Sequence, residues 1–438
     1  MSKHSAEQTR VVIVGGGFGG LYAAQRLSRD RHYQVTVIDK RNYHLFQPLL
    51  YQVATGTLSP GDIATPIRAV LRGRRNVQVL QATVRDLDPE ARKVFYDGGE
   101  AGYDILIVAS GVKHHYFGNE QWREHAPGLK TVEHALEMRQ RIFSAFEEAE
   151  LETDTARRDA LLNFIVVGGG PTGVELAGAI GELAHHTLHR DFRSFDPRQA
   201  RVQLIEGAAH ILPTYPEDLS RAARHALEKL GVDVHTQTLV TAIDGEQITL
   251  RSGEQEQQQR AATVLWAAGV RASRFGQALA RRVDAQLDNG GKVIVNEDLS
   301  LPAHPEIFVI GDLAHYEHGG KPPLPGVAPV AIQQGRYVAR LLQRRRRNKT
   351  MRPFKYFDKG SMAVIGRNAA VADIGPLHLK GFPAWITWVF VHVMYLIEFD
   401  NKLLVMTQWA WNYFTRKRGV RLITSVPVAR TAGRSNRD

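Results

Sequence analysis

Gly15, Gly17 and Gly20 lie in the stretch Gly15-Gly16-Gly17-Phe18-Gly19-Gly20, directly after the apolar run Arg10 to Val14. Gly168, Gly170 and Gly173 lie in Gly168-Gly169-Gly170-Pro171-Thr172-Gly173, directly after Asn163 to Val167. A glycine triplet at this spacing between a strand and a helix cradles a pyrophosphate. The first glycine makes the tight turn, the second lets phosphate approach the backbone, and the third lets the helix pack on the strand. The helix N-terminus adds unpaired N–H groups and the favourable end of the helix dipole. Each loop also has an acidic partner. Asp39, 19 positions beyond Gly20, ends the run Gln34 to Asp39, and Glu206 ends Val202 to Glu206. A carboxylate at that place accepts ribose hydroxyls.

The two sites are expected to hold different dinucleotides. The strand-like run Ile307 to Ile310, followed by Gly311 and Asp312, delivers a further carboxylate at a strand end, suited to the ribityl chain of a flavin. That assigns FAD to the first loop, with Phe18 and Gly19 beside the phosphates. At the second loop Glu206 repels a 2′-phosphate, and Gly207-Ala208-Ala209 offers no arginine to receive one, so NADH is preferred over NADPH.

These residues need parallel strands to hold them. The runs named above, with Ile105 to Ala109, are rich in Val and Ile, as strands buried on both faces are. The fold class is therefore α/β with doubly wound sheets, and the loop spacing (168 − 15 = 153 positions) indicates two Rossmann-like dinucleotide-binding domains. The division expected is 1–115 with 276–345 for FAD, 116–275 for NADH, and 346–438 as a C-terminal, membrane-associated α/β region. Met138 to Leu162 reads as a charged amphipathic helix with Thr153 and Asp154 in a loop and an interdomain hinge just before it. Glu254 to Arg260 reads as a hairpin tip, and Arg344 to Lys349 as a basic run ending a helix.

At 438 residues the chain exceeds the roughly 250–300 at which single cores stop growing. There is no cysteine, which excludes disulfide relays and thiolate metal sites. The polar start, Met1 to Arg10, lacks the apolar core of a secretory signal, and a cytoplasmic address is expected. The net charge of +11 calls for an anionic partner; with no nucleic-acid-binding signature, lipid is the choice.

The C-terminal region supports that choice. Ala384 to Ile397 is apolar apart from Thr387 and His392; its fourteen residues reach about 21 Å as a helix, short of a roughly 30 Å hydrocarbon core. After a polar break, Glu398 to Lys402, the stretch Leu403 to Phe414 carries Trp409, Trp411, Tyr413 and Phe414, followed by Arg416, Lys417, Arg418 and Arg421. Interfacial aromatics beside cations describe a monotopic anchor in one leaflet, against a hydrophobic homodimer interface, and both roles can coexist on one surface. Val428 to Asp438 reads as a disordered tail. His185, His186 and His189 share a helix at a spacing open to metal, but without a partner set they read as a surface or dimer contact; no metal is expected.

Four further segments narrow the family: Gln47-Pro-Leu-Leu-Tyr-Gln-Val-Ala-Thr-Gly56, Thr263-Val-Leu-Trp-Ala-Ala-Gly269, Ala328-Pro-Val-Ala-Ile-Gln-Gln-Gly335 and Asp358-Lys-Gly-Ser-Met-Ala363. With both loops they make the chain resemble the type II NADH dehydrogenases, single-subunit NADH:quinone oxidoreductases. The resemblance implies hydride transfer from NADH to FAD and onward transfer to ubiquinone or menaquinone, without proton pumping, at the cytoplasmic face of the inner membrane. It implies a proton-handling role for Glu175, against a first-turn glutamate that merely complements a helix dipole. Gln333, flanked by Gln334, falls near the quinone headgroup, against a glutamine capping backbone. Lys359 falls near the flavin and quinone, against a surface pair with Asp358. The resemblance also adds Lys40, Val84, Gly111 and Ala331 to the FAD site and Gly269 to the NADH site. Tyr43 and His44 are placed at the flavin edge without a catalytic role. The family often has glutamine where this chain has Pro329. The rival readings are a reductase of a protein electron carrier and a redox-sensing flavoprotein.

Overall fold

The computed structural model describes residues 8–320, 322–397, 399–415 and 418–424, with 399 and 400 by their backbone alone. Strand β1 (Thr9–Val14) leads into helix α1 (Phe18–Leu27), and β2 (Tyr33–Asp39), β3 (Val77–Gln81) and β4 (Ile105–Val108) complete a parallel sheet in the order β4-β1-β2-β3. Val11 and Ile13 are fully buried, as residues of a strand covered on both faces should be. An antiparallel meander, Val84–Asp88, Lys93–Tyr96 and Gly99–Gly102, fills the gap between β3 and β4.

The chain then leaves this unit through β5 (Val112–His114) and enters α2 (Val132–Leu151). The second unit repeats the first. It comprises β6 (Asn163–Val167), α3 (Pro171–Glu182), β7 (Arg201–Ile205), β8 (Val232–His235) and β9 (Thr263–Trp266), in the parallel order β8-β7-β6-β9. A meander again precedes the last strand, and Gln255–Arg260 is its edge strand, paired along its length with Gln247–Ser252. The expected hairpin tip at 254–260 is therefore a strand; its side chains are exposed except for Gln259, which bonds Gln203, and the turn lies at Gly253.

The return crossing is β10 (Val270–Ala272), antiparallel to β5, and this ribbon joins the units. The chain thus crosses between the units at 112–114 and 270–272, and α2 begins at Val132 under a Thr131 cap, six residues before the helix start expected at Met138. The break at Glu152 to Asp154 falls where expected; Asp154 caps the next helix through the Ala156 and Arg157 N–H groups. Finally β11 (Ile307–Val309) rejoins the first sheet beside β4, and α4 (Ala328–Arg345) packs on α1.

Residues 346–360 remain with the first unit: Tyr316 donates its hydroxyl to the Phe354 carbonyl, and the Phe354 N–H donates to Glu297 O at 2.8 Å. The C-terminal region proper starts with an antiparallel sheet, Ser361–Gly366, Ala369–Ile374 and Leu377–Lys380, lying on α3. A side chain at Gly178 would collide with the Ile365 carbonyl, so glycine sets that approach. Helices α5 (Phe382–Tyr395) and α6 (Phe399–Thr415) follow, separated only by residues 396–398; Asn401 and Lys402 already belong to α6.

Candidate active site

The two phosphate loops share one geometry at their glycines. Gly15 and Gly168 have φ of +106° and +108°, which only glycine tolerates easily. A Cβ on Gly20 or Gly173 would strike the carbonyl of the loop's first glycine, whereas a Cβ on Gly17 or Gly170 meets nothing within 4 Å. The open space lies where phosphate must approach the backbone. Asp39 Oδ2 accepts from Gly16 N–H at 2.6 Å and Oδ1 from Arg41 N–H at 2.8 Å. Glu206 Oε2 accepts from Gly169 N–H at 2.5 Å and Oε1 from Ala208 N–H at 2.7 Å. Each carboxylate fixes its own loop, a role the sequence reading had not assigned.

A cleft of about 2140 Å³ opens at the first loop. Gly15, Gly17, Phe18, Gly19, Asp39, Lys40, Val84, Gly111, Asp312 and Ala331 line it. Gly20 instead sits behind the loop, packed on β1. Pro171, Thr172 and Glu175 reach the same cleft from the second unit, while Gly168, Gly170, Gly173, Glu206 and Gly269 lie off it, around the second loop. Lys130 and Arg274, not anticipated, also line it. Burial pushes the Lys130 ammonium down, with the Asp312 carboxylate opposing that shift. His44 donates Nδ1–H to Gly16 O at 3.1 Å, and burial lowers its pKa to about 4, so a neutral ring backs the loop.

The far end of the cleft is built by α3, segment 355–362 and α5. Glu175 is the fifth residue of α3 and 8% exposed, so it is not a first-turn glutamate facing solvent. Burial raises its pKa well above the usual value, opposed by a hydrogen bond from the Val364 backbone. Burial thus favours the protonated form of its carboxyl. Lys359 does not pair with Asp358: its ammonium meets the Tyr395 hydroxyl and lies 5.1 Å from that ring's centroid.

Gln333 and Gln334 are absent from the cleft wall. The Gln333 amide donates to Phe357 O at 2.9 Å and accepts from Phe357 N–H at 3.0 Å. The Gln334 carbonyl accepts from Gly311 N–H at 2.6 Å. Both cap backbone. Gln333 thereby holds the strand of chain that carries Lys359, and Gln334 holds the turn that carries Asp312.

His392 is the residue that composition concealed. It lines the cleft from α5, stacked on Trp388 at 4.3 Å, with Nδ1–H donated to Trp388 O at 2.8 Å. Burial lowers its pKa to about 4, leaving Nε2 as a lone-pair acceptor.

A pyridine nucleotide-disulphide oxidoreductase family matches residues 9–335, and the NDH2 C-terminal domain matches 359–418. The type II NADH:quinone oxidoreductase Ndh of Mycobacterium tuberculosis is 45% identical over 95% of this chain and 90% of its own length. The chain belongs to the type II NADH:quinone oxidoreductases. The enzyme of that name from Staphylococcus haemolyticus is 29% identical over 84% of this chain and 90% of its own length. In fold, the chain superposes on Plasmodium falciparum NDH2 with a TM-score of 0.86, at 21% identity, covering 96% of this chain and all of the other.

Two C-terminal cations of this type II chain differ from expectation. Arg418 is buried and donates to Thr55 O and Ala179 O, each at 3.1 Å, and to Glu182 at 3.2 Å. Arg421 pairs with Asp191. Neither is free to meet headgroups; Arg416, Lys417 and the tail 428–438 lie outside the described residues. His185 packs on Gly231, and the described residues contain no cluster suited to a metal. No helix among them is long and apolar enough to cross a membrane.

Proposed function

We propose that the chain transfers two electrons from NADH to a membrane quinone, using FAD, on the cytoplasmic side of the cell inner membrane and without moving protons across it. The observation that carries this reading is the continuity of one cleft, from the phosphate loop at Gly15, past Glu175, to Lys359 and His392 on a helix with an apolar outer face. The residues fit FAD: the open space at Gly17 and the helix N-terminus suit its pyrophosphate, and Asp39 and Asp312 suit its hydroxyls. When bound, FAD supplies the two-electron carrier between a nicotinamide donor and a quinone acceptor.

The chain's own groups do the rest. Thr172 and Glu175 approach from the NADH-binding unit. Glu175, whose burial favours the protonated carboxyl, handles a proton there. Lys359 places a positive charge where a quinone oxygen gains negative charge. Gln333 acts through Phe357, positioning that lysine. His392 Nε2 accepts a hydrogen bond from a quinol hydroxyl.

The outer face of α5 presents Phe382, Ile386, Phe390 and Met394, about half-exposed or more, at spacings of four. With Trp411 and Phe414 of α6 they suit insertion into one leaflet, and a homodimer would share that plane. The test is anaerobic: NADH should bleach the flavin of the purified protein, and a short-chain quinone should restore its colour within the turnover time. Bleaching without restoration by any quinone would remove the quinone from this proposal and leave a reductase of another acceptor.

A further inference from the structure

We propose that Arg26, Arg29, Arg336 and Arg340, on the seam between α1 and α4, form a docking surface for anionic phospholipid headgroups beside the apolar stripe of α5. The proposal rests on the membrane reading above and assigns its electrostatic half. The helices run parallel, with Gly335 close over Gly19 and the Gln343 amide 3.4 Å from Arg26 O. Arg336 and Arg340 stand one turn apart on α4, and Arg26 and Arg29, on and just beyond α1, lie within electrostatic reach of them: Arg340, Arg29 and Arg336 all act on Arg26.

None of the four pairs with a carboxylate among the described residues, although their neighbours do: Arg345 pairs with Asp298 and Arg346 with Asp30. Arg26 Nε is buried without a hydrogen-bond partner. Burial and then Arg340, Arg29 and Arg336 press its pKa down, the signature of like charges held together. Such crowding costs stability unless an anion relieves it.

Position identifies the anion. Arg336 lies over the Tyr22 ring at 4.7 Å from its centroid, and Tyr22 lies within electrostatic reach of Tyr395. Tyr395 ends α5 one residue beyond Met394, the last member of the apolar stripe. The arginines therefore begin where the stripe ends, an order that matches acyl chains next to headgroups. A second copy docked by two-fold symmetry would set arginine against arginine. A nucleic acid would leave the adjoining stripe exposed to water.

The test is co-sedimentation of the holoenzyme with vesicles of phosphatidylcholine alone and of phosphatidylcholine mixed with phosphatidylglycerol. R26Q/R29Q/R336Q/R340Q should lose at least about tenfold in affinity for the mixed vesicles, each headgroup-facing charge being worth roughly fivefold, with no change on neutral ones. NADH-driven ferricyanide reduction should stay unchanged, which shows the variant folded. Equal binding of variant and parent to the mixed vesicles would overturn the proposal, as would a loss confined to single-stranded DNA. A separate variant, I386S/F390S, should weaken binding to both vesicle types. Unaltered binding there would remove the membrane reading itself, so the two failures are distinguishable.

Discussion

Glu175 combines burial with a carboxyl pKa that burial raises, and both properties can be measured. In the unfolded chain it ionises near 4.5, whereas the folded value is well above that. The folded state thus holds one more proton, and its contribution to stability is complete below about pH 4.5 and is lost as pH rises through the folded value. Glu175→Gln should flatten that decline in urea unfolding across a pH series and slow turnover by about 10²-fold. A parallel decline in both proteins would mean that Glu175 is not the group titrating. Lys359→Ala should slow quinone-driven reoxidation by about tenfold or more and leave reduction by NADH nearly unchanged. Stopped-flow traces slowed equally in both half-reactions would contradict its assignment. The phosphate loop separates folding from binding. Gly17→Ala should fold normally yet fail to retain flavin, whereas Gly20→Ala should lose about 1–3 kcal/mol through overpacking against Gly15. Absorbance spectra and thermal unfolding read the two effects apart.

The glycine loops were legible because every residue that shapes them lies within one strand, turn and helix, and Asp39 and Glu206 follow at the distance one further strand requires. The parallel strands were legible from their Val and Ile runs for the same reason. Elements built by distant partners were not. The Gln333 clamp joins residues 24 positions apart, and Arg418 reaches Ala179 across 239 positions; neither pair leaves a mark on local composition. His392 looked like an impurity in an apolar stretch because nothing near it in sequence states that Trp388 and the cleft enclose it. The C-terminal helices likewise read as a detachable anchor, yet Trp409 donates to Gln52 at 2.8 Å and Asn401 to Thr65 at 3.0 Å. Truncation after Ile397 should therefore lower the thermal midpoint and loosen flavin, rather than yield a stable soluble enzyme. A truncated protein with an unchanged midpoint and full flavin content would show that α6 is dispensable to the fold.

At the scale of the molecule, two copies of one unit face each other across a ribbon, and the C-terminal region bears on the second while α5 closes the cleft of the first. Histidines with lowered pKa values are spread through this arrangement, His44 buried and His114 and His392 partly so: about 4, about 3 and about 4. Each lies below its ordinary value because burial disfavours the charged ring. Their contribution is complete above pH 6.5 and is lost as pH falls through the folded values, so acid should destabilise the whole protein cooperatively below 6.5. His392→Phe should reduce the steepness of that acid limb in a urea series. The buried Arg418 has a consequence in time as well as in space. Synthesis proceeds from the N-terminus and units fold as they emerge. Yet the carbonyls of Thr55 and Ala179 gain their guanidinium partner only once Arg418 has been made, 363 and 239 positions later. The nucleotide-binding units can thus form on the ribosome, while the guanidinium that ties Thr55 of one to Ala179 of the other arrives only after the apolar hairpin has been synthesised, so the mature juncture of the units is a late event of folding.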